Sequence, residues 1–125
     1  MKRWLGIFAV FFIFVAVTAR AEQKAVSSGV WGTYWANFQA ALAADDQEKV
    51  AALTQFPFTY DTSIDKAAFL KAYPKIFDAK AKACLKKAKP ASDPLGNYNV
   101  FCGETIYTFS KVGEGYRFSD IGAND

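Results

Sequence analysis

Tyr98-Asn-Val-Phe-Cys-Gly-Glu-Thr-Ile-Tyr-Thr-Phe-Ser-Lys-Val-Gly-Glu-Gly-Tyr-Arg-Phe-Ser-Asp-Ile121 sets three short strand-like segments apart with glycine turns. Tyr98, Val100 and Cys102 recur with a period of two, the spacing that puts side chains on one face of a strand. Cys102-Gly103-Glu104-Thr105 is a turn, Ile106 to Lys111 a second strand, and Val112-Gly113-Glu114-Gly115 closes a hairpin with Tyr116 to Ile121. Tyr107 and Phe109 on one strand are placed to face Tyr116 and Phe118 on the next, an aromatic cross-strand cluster. The segment predicts an antiparallel meander.

Just upstream, Pro90 to Asn97 supplies Pro, Ser, Asp and Gly, the composition of a loop. Before it, five lysines fall between Asp78 and Lys89. At the helical period Phe77, Ala81, Cys84, Leu85 and Ala88 gather on one side and Lys82, Lys86 and Lys89 on the other. This is a packed face opposite a solvated one rather than a basic binding helix. The same projection turns Cys84 inward, toward a strand.

Further back, Phe69, Leu70, Tyr73, Ile76 and Phe77 form a buried helical stripe, begun by Thr62 or Ser63 as cap and kinked or broken near Tyr73 by Pro74. Phe56, Phe58 and Tyr60 alternate as a strand, which Pro57 assigns to a sheet edge or a strand start. Trp31, Trp35, Phe38 and Leu42 mark an N-terminal helix capped at Ser27 or Ser28. Asp45-x-x-Glu48 reads as the capping box of a second helix carrying Val50, Ala51 and Leu53. The expected order is α-α-β-α-α-β-β-β: an α+β domain with helices packed on one face of a small antiparallel, cone-like sheet.

Residues 1–21 read as a signal peptide. Lys2 and Arg3 form a positive start, Trp4 to Val17 is an uncharged apolar run, and Ala19-x-Ala21 is a small-residue cleavage pattern. The run is short of the roughly 20 residues of a membrane span, so no stable anchor is expected, and residues 22–125 are left as one domain, periplasmic or secreted. Of the 15 basic residues, Lys2, Arg3 and Arg20 belong to this leader, which leaves 12 basic against 12 acidic. A neutral chain lacks the basic surplus of a nucleic-acid binder. In an oxidising compartment, Cys84 and Cys102 are expected to form one disulfide; two reduced core thiols are the alternative. With no histidine and no C-x-x-C pair, no metal or other cofactor is expected.

Trp31-Gly-Thr-Tyr34-Trp35-Ala-Asn-Phe38 leading into Asp45-Asp46, Val50-Ala-Ala-Leu53-Thr-Gln-Phe56-Pro57-Phe58, Phe69-Leu70-Lys71-Ala-Tyr73 and the closing Tyr107 to Tyr116 segment resemble the nuclear transport factor 2-like, ketosteroid isomerase-like superfamily. The resemblance spans Val30 to Ile121 and implies the α+β cone. Its members include isomerases, dehydratases and binding proteins, so fold assigns no activity. Where such enzymes work, an acidic residue or histidine moves a proton and a tyrosine holds the oxyanion. No residue here matches those motifs.

Asp61, or Asp120, is the candidate base, with Tyr60, Tyr98 or Tyr107 as donors. Asp61 also reads as a helix cap or turn residue. Trp31, Trp35, Tyr60, Tyr107 and Arg117 are the candidate ligand contacts. The aromatics compete with a role in the core, and Arg117, a potential carboxylate clamp, with plain exposure on the strand's outer face. Three readings follow: a binding module for a small apolar ligand or a protein partner, a proton-transfer enzyme, and a homodimer paired through its sheet.

Overall fold

Gly103 and Gly113 both adopt positive φ, 66° and 62°, a backbone that L side chains rarely take. They turn the C-terminal segment twice, into strands β4 (Tyr98–Cys102), β5 (Thr105–Val112) and β6 (Gly115–Ala123). In the computed structural model, which describes residues 22–123, these three form the antiparallel meander read from the sequence. Phe109 lies opposite Phe118, but Tyr107 lies opposite Ile121 and Tyr116 opposite Lys111. A one-residue bulge at Ser119 shifts the register between these pairs.

The whole is α+β, in the order α1 (Glu22–Ala43), α2 (Gln47–Ala52), β1 (Thr54–Tyr60), β2 (Thr62–Ile64), α3 (Lys66–Ile76), α4 (Ala79–Lys87), β3 (Ala91–Ser92), then β4 to β6. Six strands form one sheet ordered β2-β1-β6-β5-β4-β3. The sheet is mixed rather than purely antiparallel, because β1 runs parallel to β6. That pairing places β1 inside the sheet, not at the edge that Pro57 suggested. The β1–β6 register jumps from Thr54↔Phe118 to Thr59↔Asp120, so Pro57, after a cis peptide bond, falls in the unpaired stretch where its missing N–H costs no ladder bond.

Several local expectations are corrected. Ser27 and Ser28 lie inside α1, which begins at Glu22. Asp46, one residue after the expected cap Asp45, caps α2 by accepting from the Lys49 N–H. Thr62 and Ser63 do not cap α3; they form β2, and Asp65 caps the helix through the Ala68 N–H at 2.9 Å. The loop from Pro90 contributes the two-residue strand β3. Helix α3 continues past Tyr73 to Ile76, with Pro74 in its last turn. The break falls at Phe77, because Asp78 caps a new helix at the Ala81 N–H.

The core lies between the helices and one sheet face. Phe38, Phe58, Phe69, Phe109 and Phe118 are fully buried there, with Tyr73, Phe77 and Leu85. Helix α4 packs Ala81 and Leu85 inward and leaves Lys80, Lys86 and Lys87 exposed. The Leu53 carbonyl fastens three elements, accepting from the Tyr34 hydroxyl at 2.7 Å and the Phe118 N–H at 3.0 Å. Among the described residues no helix is long and apolar enough to cross a membrane. Residues 1–21, read as a signal peptide, lie outside the described residues.

Candidate ligand-binding cleft

Strands β4, β5 and β6 give the sheet two distinct ends. At one, the Trp31 indole is sandwiched among Tyr34, Trp35, Tyr98 and Tyr116. At the other, the last residues of β1 and β6, the β4–β5 turn and the α3–α4 junction enclose a cleft of about 740 Å³. The chain folds this way locally because Asp78 stops α3 and starts α4 at an angle, and the Cys84–Cys102 disulfide then ties α4 to the end of β4. The two cysteine Cα atoms are 6.0 Å apart and 18 residues apart in sequence. The expected disulfide is thus formed.

The floor of the cleft is apolar: Ile76, Ala81, Ile121 and the disulfide, with the rings of Tyr60 and Tyr107. Its rim is charged, with Lys75, Lys80, Asp78 and Glu104. Tyr107 is only 4% exposed. Burial, then the nearby Asp78 carboxylate and Tyr60, push its phenol above the ordinary tyrosine range, so the group is a neutral hydroxyl at physiological pH. The Asp78 carboxylate is occupied by the Ala81 N–H at 2.8 Å. Among the described residues no group of three or more His, Cys, Asp or Glu side chains is arranged to hold a metal ion.

Of the residues singled out from the sequence, Tyr60, Tyr107, Cys84 and Cys102 meet in this cleft. Trp31 and Trp35 belong to the aromatic cluster at the opposite end, with Tyr98. Arg117 is exposed on the sheet's outer face, where its Nη1 donates to the Tyr116 carbonyl at 2.7 Å. Asp61 is exposed at the β1–β2 turn with φ of 73°. Asp120 pairs with Thr108 and Thr59 on the outer face, where partial burial raises its carboxyl above the ordinary range. Neither aspartate lines the cleft.

Sequence reasoning missed Lys75, Lys80, Asp78, Glu104 and Ile121. Lys80 fell within a lysine run read as a solvated helix face, Lys75 drew no reading, and Glu104 read as a turn residue. A signal existed in Pro74 to Asp78, since a helix break beside an inward cysteine must open space between elements. Compared with known proteins, the chain matches no family model, no curated protein and no solved structure.

Proposed function

We propose that this protein is an exported, non-catalytic binding domain that holds a small, largely apolar molecule in the cleft between α3, α4 and the ends of β1, β5 and β6. One observation carries the reading: the cleft joins an apolar floor and two phenols, while both candidate bases, Asp61 and Asp120, lie elsewhere. Concave, mostly apolar sites with a few polar groups are the usual form of small-molecule sites. The carboxylates that do line the cleft favour binding over proton transfer, since Asp78 caps α4 at the Ala81 N–H and Glu104 is exposed on the β4–β5 turn, whereas a base needs a raised pKa within reach of the substrate. Export is supported by the Cys84–Cys102 disulfide together with the leader-like residues 1–21. Membership of the ketosteroid isomerase-like cone is supported by helices packed on one face of a sheet that opens at one end.

Native mass spectrometry of protein gently isolated from its compartment tests this reading. The expected result is a chain starting at Glu22, two hydrogens light, carrying an adduct that limited denaturation releases. A bare chain that takes up no apolar probe would remove it.

A second reading is favoured by the sheet's outer face. Phe101, 55% exposed, pairs there with Ile106, and no helix among the described residues covers them. We propose that two copies pair through this face. Sedimentation equilibrium should give a dimer that Phe101→Glu converts to monomer, and a wild-type monomer at high concentration would end the idea.

A further inference from the structure

Tyr107 is the most deeply buried tyrosine of the cleft lining. The residue is 96% buried, yet its oxygen has no hydrogen-bond partner among the described residues. The other two deeply buried tyrosines differ: Tyr34 donates to the Leu53 carbonyl at 2.7 Å and Tyr73 to Asp45 Oδ1 at 3.2 Å. A buried donor left unpaired costs about 1–3 kcal/mol, so such groups are few and call for an acceptor. Tyr107 lines the cleft beside Tyr60 and Asp78, so the space next to its ring is the cleft itself.

What surrounds that hydroxyl defines the acceptor. Lys75 and Lys80 stand on the rim, and neither forms an ion pair among the described residues, in contrast to Lys66 with Glu48 and Lys82 with Asp45. The first turn of α4 opens at the same place, and its Ala79 and Lys80 N–H groups have no acceptor among the described residues. Two carboxylates oppose an anion here. Both are exposed, so water screens them, and the charges of Lys75 and Lys80 match theirs. Below the rim lie Ile76, Ala81, Ile121, the disulfide and the two rings, with Gly103 and Thr105 at the β4–β5 turn.

We infer that the cleft takes a monocarboxylic acid with an apolar or aromatic body: the carboxylate accepts from the Tyr107 hydroxyl between Lys75 and Lys80, and the body lies on the apolar floor. The inference rests on the binding reading above and adds the head group. A charge-assisted hydrogen bond to a buried phenol is stronger than one to a neutral acceptor, so the acid is selected over neutral analogues of the same shape.

The test titrates the purified protein with 4-phenylbutyrate, 4-phenylbutan-1-ol and 4-phenylbutan-2-one, one body with three heads, following tyrosine ring signals assigned with Tyr60→Phe and Tyr107→Phe. The acid is expected to move the Tyr60 and Tyr107 signals and to bind at least tenfold more tightly than either neutral probe. Tyr107→Phe should weaken the acid by about tenfold or more, the range for a hydrogen bond to a charged group. Lys80→Gln should weaken the acid a few-fold and leave the ketone unchanged.

Equal affinity for acid and ketone, or no effect of Tyr107→Phe in a variant that melts like the wild type, would overturn the carboxylate while the binding reading stands. If none of the three probes moves a cleft signal, both fall.

Discussion

The Trp31 indole lies flat on the Tyr98 ring, with centroids 4.0 Å apart and planes within 3° of parallel. The stack joins α1 to β4, and Tyr116 and Phe109 close on the same indole edge-on at 5.1 Å and 5.7 Å. Aromatic pairs of this kind add about 0.5–1.5 kcal/mol each beyond buried area. Trp31→Ala is therefore expected to cost about 3–5 kcal/mol, the range for emptying a large aromatic site. Urea unfolding followed by circular dichroism measures it, and a loss under 1 kcal/mol would show that the cluster is a surface rim.

Cys84 and Cys102 close a loop between α4 and β4. Loop-closure entropy for a span of this size gives about 3 kcal/mol of stabilisation, through the unfolded chain. The Cys84→Ser, Cys102→Ser double variant should lose roughly that much, and reductant should bring the wild type to the same urea midpoint. A wild-type midpoint unmoved by reductant, with free thiols detected, would mean that the bond contributes no stability.

How much of this was legible follows from which contacts are local. The stripe Trp31, Trp35, Phe38, Leu42 and the alternation of β4 to β6 are short-range patterns, and the structure has both. The inward turn of Cys84 was likewise readable from the helical period. The parallel β1–β6 pairing was not, since it joins segments about 60 residues apart and leaves no periodic trace. Thr62 and Ser63 misled because hydroxyl residues favour caps and turns alike; the positive φ of Asp61 makes the hairpin, and Asp65 caps instead. The cleft was half legible: Tyr60 and Tyr107 were named as aromatics, but Lys75 and Lys80 acquire meaning only when the α3–α4 break brings them to the end of the sheet.

The three buried phenols should respond differently to loss of oxygen. Tyr34→Phe removes a 2.7 Å bond to the Leu53 carbonyl, though Phe118 N–H still satisfies that acceptor, so the cost is about 1 kcal/mol. Tyr73→Phe removes one of the bonds to Asp45 and should cost about as much or less. Tyr107→Phe removes a donor with no partner among the described residues and should be neutral or stabilising by up to about 1 kcal/mol in the ligand-free protein. Thermal melts of the three variants separate the cases. A Tyr107→Phe variant as destabilised as Tyr34→Phe would mean that its hydroxyl already has an acceptor in the folded chain.

Acid and neutral stability depend on two aspartates with opposite signs. The Lys82 ammonium, at 3.0 Å, and the Tyr73 hydroxyl hold the Asp45 carboxyl below its ordinary range. A depressed carboxyl adds stability above its unfolded value, near pH 4, and that stability is lost as pH falls through the folded value. Partial burial raises the Asp120 carboxyl instead. Its contribution is present below the unfolded value and disappears as pH rises through the folded one, so ionised Asp120 weighs against the fold at neutral pH. Asp120→Asn should thus be more stable than the wild type at pH 7 and lose that advantage near pH 3. Asp45→Asn should be less stable at pH 7 and converge with the wild type in acid. Urea midpoints from pH 2.5 to 7.5 measure both, and parallel curves for Asp120→Asn and the wild type would place that carboxylate in free contact with water.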